Sequence, residues 1–188
     1  MRAGRALSVV AVDVNDERGA PATVATVTLV ARDALEPVDH LGAPEPAPPA
    51  APWQDGTPWR NPPGVEVPLI ATFQPRAVGR SDATGIATAL RVPWDDPDAA
   101  AEAACLAADV CVGPPVAGAL DNRWIPHPNP DLSLRFTSTK VGAEVVGWGR
   151  LERIDAGLAT VRVEVRSDGN LVAAGVSTSV LPSSRRPR

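Results

Sequence analysis

Asp109 is the lone charged side chain in the run AACLAADVCVGPP, residues 103–115. Taking an ionised carboxyl out of water costs on the order of several kcal/mol unless hydrogen bonds or a partner charge compensate. Such a residue either faces solvent or has a task. In apolar surroundings a carboxylate gains proton affinity, which suits it to take a proton from water near neutral pH. The plain alternative is a solvated acidic stripe, because on a helix Asp98, Glu102 and Asp109 fall within about 40° of one another. Cys105 shares that stripe, and Leu106 and Val112 flank Asp109 in the adjoining turns, which favours the functional reading.

Other routes to chemistry find little support in the residues. No G-x-S-x-G occurs and His127 sits in a proline-rich loop, so a serine hydrolase is disfavoured. The only histidines, His40 and His127, have no second ligand at metal-binding spacing, and no metal or cofactor is expected. Cys105 and Cys111 share one helical stretch, about 120° apart around it with about 9 Å of rise between them. That is too far for a disulfide, so they read as small core residues of a reducing compartment.

The elements that must carry Asp109 follow from the patterning. Residues 5–32 hold two alternating β-branched runs, ALSVVAVDV and ATVATVTLV, joined by NDERGAP as a hairpin. Residues 34–68 carry ten prolines and predict an extended, polyproline-like linker. Trp53 and Trp59 within it are expected to pack onto the protein's own domain. LIATFQPRAV and GIATALRVPW then read as two strands. DDPDAAAEAACLAADVCV, with an Asp cap, Pro97 in its first turn and strong helix formers after it, reads as a long helix that weakens at Gly113, Pro114 and Pro115. After the loop WIPHPNP come four strands, DLSLRFTS, AEVVGWGRLERI, LATVRVEVR and LVAAGVSTSVL. In the third, Ala159, Val161, Val163 and Val165 take one face and Thr160, Arg162, Glu164 and Arg166 the other, the alternation of a half-buried antiparallel strand. The Asp-Gly in SDGN is a strong hairpin signal. Trp148, in GWG, reads as a packing residue rather than the wall of a binding pocket.

Composition sets the context. A net charge of −4, from 22 acidic and 18 basic residues, gives no field favouring nucleic acid or an anionic membrane. The basic end SSRRPR, residues 183–188, predicts a disordered tail. The N-terminal stretch lacks an apolar run long enough for a secretory signal, and a cytoplasmic protein is expected.

One helix can cover a sheet of this size only if the sheet curls around it, and the Ala-rich helix has little polarity on any side. It should therefore be buried nearly all round. The expected fold is α+β, a hotdog in which a curved antiparallel sheet wraps one long helix. The first hairpin resembles the last one, GLATVRVEVRSDGNLVAAGVSTSVL, with Gly19 and Gly169 at matching places. It looks like the end of a partial second hotdog. The expected organisation is a hairpin at 1–33, the linker at 34–68, a hotdog domain at 69–182 and the tail at 183–188.

CLAADVCVGPPVA, NPDLSLRF and DGNLVAAGVSTSVL, in that order and spacing, are similar to stretches of the double-hotdog acyl-CoA thioesterases, the thioesterase II family. Residues 69–182 resemble that family's C-terminal half, and 1–32 the end of its N-terminal half. The resemblance implies hydrolysis of an acyl-CoA to free acid and CoA by a water that three residues hold. Asp109 matches the family's helix Asp. Asn129 stands where the family usually has Thr and Ser177 where it usually has Gln, both still able to hydrogen-bond a water or a carboxylate. Oxyanion contacts are expected from backbone N–H groups near the Gly113 turn. A hotdog hydratase is disfavoured, because HPNP shares residues with that family's Asp-x-Asn-Pro-x-His motif but not their order. The resemblance further implies a homo-oligomer or pairing with another hotdog unit. The alternative function is a non-catalytic hotdog subunit that binds an acyl group or completes a heteromer.

Overall fold

The computed structural model describes residues 2–3, 7–30, 50–61, 64, 66–80, 85–93, 100–120, 129–137 and 140–181. His40, Pro97, His127, most of the proline-rich stretch and the basic tail lie outside the described residues. The chain forms two compact units, Met1–Glu45 and Pro46–Arg188.

The first unit is a small antiparallel sheet in the order β1 (Arg2–Ala3), β2 (Leu7–Asn15), β3 (Pro21–Val30). The expected hairpin is present, with Leu7 opposite Val30 and Val14 opposite Thr23. Asp16 shapes the turn, its Oδ1 accepting from the N–H of Arg18 and of Ala20, each at 2.9 Å. Gly19 follows at φ +79°, a left-handed conformation that glycine adopts without steric cost. Val12, Val14 and Val27 are exposed.

The second unit holds the larger sheet. Its strands are β4 (Thr57–Pro58), β5 (Arg76–Arg80), β6 (Gly85–Arg91), β7 (Asp131–Phe136), β8 (Glu144–Asp155), β9 (Leu158–Ser167) and β10 (Asn170–Val180). Their spatial order is β4-β5-β6-β8-β9-β10-β7, with every neighbouring pair antiparallel. Helix α2 (Ala100–Val110) lies against β6, β7, β8, β9 and β10. Its Ala103, Ala104, Ala107 and Ala108 are buried against Leu90, Val145, Val161, Val163, Val165 and Val172. Small helix residues allow this close seat. A Cβ at Gly147 on β8 would stand 2.5 Å from the carbonyl oxygen of Ala107. Ala100–Ala119 is long and apolar enough to cross a membrane by length and composition, but it is largely buried against the protein's own sheet.

Two sequence expectations are corrected. Residues 69–73 are not strand: α1 (Pro68–Phe73) is a short helix, with Pro68 in its first turn. Pro there has φ already set for a helix, and Leu69 and Phe73, one turn apart, reach the core together. The helix weakens where expected, with a turn at Cys111 and Val112, and α3 (Gly113–Ala119) then resumes the helical path with Pro114 in its first turn, where no N–H is needed. Finally, α2 is not buried all round. Ala101, Glu102, Cys105 and Asp109 are exposed, since the sheet covers one side of the helix and ends at the edge strand β7.

On the opposite face of the sheet Trp53, among the described linker residues, packs onto the domain as expected. A single 3₁₀ turn, Trp53–Asp55, buries Trp53 with Val78, Ala87, Ala89 and Trp148. Trp53 Nε1 donates to Gln74 O at 2.9 Å, and the Arg76 and Arg91 guanidinium carbons lie 4.0 and 3.8 Å from the indole centroid. Trp59 packs against the main core.

Candidate active site

The last turn of α2 and the segment leading into β7 bring Asp109 and Asn129 together. Asn129 Nδ2 donates to Asp109 Oδ1 at 3.0 Å and, more distantly, to the Asp109 carbonyl oxygen at 3.4 Å. The orientation of the amide is set by its partner, because the reverse placement would face Oδ1 with a carboxylate. Asn129 Oδ1 is buried and has no hydrogen-bond partner among the described residues. The pair therefore combines an exposed carboxylate, anchored through one oxygen, with a buried acceptor beside it. Asp109 lies on the exposed stripe with Glu102 and Cys105, so the apolar enclosure expected from the sequence is absent on that side.

Ser177 is placed differently. It is 1% exposed on β10, and its hydroxyl donates to the Asp131 carbonyl oxygen at 2.7 Å. Asp131 Oδ1 accepts from the Thr178 N–H, also at 2.7 Å. Ser177 is thus tied to the first residue of β7, two positions after Asn129, rather than to Asp109. Asp131 escaped the sequence reading. A charged residue opening a strand reads as surface, and its partner lies 47 residues away.

Two backbone donors of the α2–α3 turn are already engaged. Cys111 N–H donates to Ala107 O at 3.1 Å and Val112 N–H to Asp109 O at 3.2 Å. They are not free for an oxyanion. Neither thiol is activated by its surroundings: burial, then the charge of Glu102, pushes Cys105 up, and burial, then the charge of Asp109, pushes Cys111 up. Trp148 packs with Trp53 on the sheet face away from α2, as a packing residue. A cleft of about 210 Å³ between Trp53, Trp59 and Ile70 lies by the β4–β5 edge, at the far end of the sheet from β7.

An antiparallel sheet packed around one long helix, with the strand after that helix crossing to the far edge, is the hotdog fold. The chain is similar to several solved hotdog structures. Against the tesB protein of Mycobacterium avium subsp. paratuberculosis the TM-score is 0.70 at 16% identity, over 97% of this chain and 69% of that one. An acyl-CoA thioesterase II, TesB2, from Mycobacterium marinum gives 0.68 at 18% identity, over 98% and 72%. A conserved hotdog protein of unknown function from Alicyclobacillus acidocaldarius gives 0.63 at 19% identity, over 98% and 70%. At these identities the likeness is one of fold. No protein-family model matches the chain, nor does any curated protein.

Proposed function

We infer that the chain is a hotdog thioesterase that hydrolyses an acyl-CoA to free acid and CoA in the cytoplasm, with Asp109 as the base that activates water. The observation that carries this reading is the Asp109–Asn129 pair, with Asn129 Nδ2 on Asp109 Oδ1 at 3.0 Å. With Oδ1 of Asp109 engaged by the amide, its second carboxylate oxygen is left on the exposed side to accept from water. The structural neighbours named tesB and acyl-CoA thioesterase II support the choice of substrate class.

The reaction balances within this set. As the water oxygen bonds to the thioester carbonyl carbon, one water proton passes to Asp109. Collapse of the tetrahedral intermediate breaks the C–S bond, and the departing CoA sulfur takes the proton back from Asp109. Asn129 holds the carboxylate in place, and Ser177 holds Asp131 at the start of β7, two residues after Asn129. Pairing of the β7 edge with another hotdog unit supplies the cover that the exposed side of Asp109 lacks in one copy.

Thiol release from acyl-CoAs of two to sixteen carbons, followed with a thiol reagent, tests the assignment. Turnover abolished by Asp109→Asn supports it, and activity retained in that variant removes Asp109 from the mechanism. The exposure of Asp109 and the engaged hydroxyl of Ser177 favour the second reading, a non-catalytic acyl-binding or structural subunit. Saturable acyl-CoA binding without thiol release establishes that reading instead.

A further inference from the structure

We propose that Asp131 is a positioning residue for the Asp109–Asn129 pair, an inference that rests on the hydrolase reading only for its kinetic consequence. Asp131 is the first residue of β7 and stands opposite Thr178 at the end of the β7–β10 ladder. Beyond that point the chain must leave the sheet and place Asn129 against the end of α2. An edge strand frays from its ends, because its outer side has no ladder partner.

Asp131 opposes fraying with two ties to one neighbouring strand. Its Oδ1 accepts from Thr178 N–H and its carbonyl oxygen accepts from Ser177 Oγ, both at 2.7 Å. The first is a charge-assisted bond and the second ends on a hydroxyl that is 1% exposed. Only Pro130, with its restricted φ, separates this anchored residue from Asn129. A shift at Asp131 is therefore passed to the Asn129 amide. The 3.0 Å bond to Asp109 Oδ1 cannot hold its length if β7 peels away.

The test compares the full chain with Asp131→Ala, Asp131→Asn and Ser177→Ala by two readouts. One is the ¹⁵N NMR signal and proton exchange of the Asn129 side-chain amide, assigned by its loss in Asn129→Asp, which reports the bond to Asp109 whether or not the protein turns over. The other is kcat and KM for the acyl-CoA that wild type hydrolyses fastest. Asp131→Ala is expected to raise Asn129 amide exchange and lower kcat about tenfold with KM within about twofold, as small misplacements at a reacting centre do. Asp131→Asn, which keeps an acceptor oxygen for Thr178, restores both. Ser177→Ala moves both in the same direction as Asp131→Ala. The proposal is overturned if Asn129 exchange is unchanged in Asp131→Ala, whatever happens to kcat, or if Asp131→Asn fails to restore it. Should wild type release no thiol, the hydrolase reading fails while the Asn129 exchange still decides the role of Asp131.

Discussion

Gly149 of β8 lies directly beneath Cys111, so close that a Cβ added there would overlap the Cys111 carbonyl oxygen. Two positions earlier, Gly147 has the same relationship with Ala107. The two glycines of GWG thus set the distance between the helical layer and the sheet, while Trp148 between them packs on the opposite face. Gly149→Ala must push backbone from backbone, with no flexible side chain to yield. It is expected to destabilise the fold by about 3 kcal/mol, the upper range for overpacking a core. The shift of the urea unfolding midpoint measures this. A midpoint within experimental error of wild type contradicts such close contact.

Asn129→Asp probes the site by charge. The new carboxyl stands where an amide now donates to Asp109 Oδ1 at 3.0 Å, so two carboxyls must share a proton. Like charge favours the protonated form, which raises the pH at which the pair becomes fully ionised. The acid limb of kcat against pH is expected to move up by about one unit or more, and kcat at pH 7 to fall about tenfold or more. Asn129→Ala removes the bond without adding charge, so it lowers kcat without that upward shift. An unchanged acid limb in Asn129→Asp would separate Asn129 from the base.

Much of this arrangement was legible in the residues. The strict alternation of β9, the Asp-Gly turn before β10 and the Ala-rich run of α2 each name the element that forms there, and together they point to the hotdog. The misreadings have physical causes. LIATF is a short apolar run that suits helix or strand equally, and Pro68 in the first turn, with Leu69 and Phe73 one helical turn apart, decides for helix. The Ala surface of α2 gave no sign of which side the sheet would leave bare, because that depends on where β7 ends the sheet. Asp109 was visible as a lone charge, but the ties of Asp131 to Ser177 and Thr178 span 46 and 47 positions and carry no local signature.

The cysteines predict the alkaline limb of stability. Cys111 is fully buried, and burial, then the charge of Asp109, drives its thiol far above the ordinary value of 9.0, opposed only by a hydrogen bond to its own backbone. Above pH 9.0 the unfolded chain releases the thiol proton while the folded chain keeps it. The unfolded state then binds fewer protons, and unfolding free energy falls as pH rises, by about 1.4 kcal/mol per pH unit for one such group. The chain has no tyrosine and one lysine, Lys140, so few other groups obscure the effect. Urea midpoints between pH 8 and 10.5 should decline in wild type and decline less in Cys111→Ala. Equal slopes in the two proteins contradict a buried, protonated Cys111.

Trp53 joins the linker to the back of the sheet, and its removal should be costly although it lies outside the helix-side core. Its ring covers Val78, Ala87, Ala89 and Trp148, its Nε1–H binds Gln74 O at 2.9 Å, and two guanidinium groups lie within 4.0 Å of the indole centroid. Trp53→Ala loses the buried ring and leaves a cavity over four apolar residues, for an expected loss of about 3–5 kcal/mol. Trp53→Phe keeps most of the apolar cover and gives up the hydrogen bond, leaving the Gln74 carbonyl to find water, for a loss of about 1–2 kcal/mol. Urea unfolding midpoints of the two variants measure both losses, and equal midpoints for Trp53→Ala and Trp53→Phe contradict the burial of the ring in this cluster. Since Asp109 belongs to the opposite side of the sheet, both variants should retain the Asn129 amide protection of wild type while folded. Loss of that protection in Trp53→Phe would show that the two faces of β8 are mechanically coupled, against the separation of the two clusters.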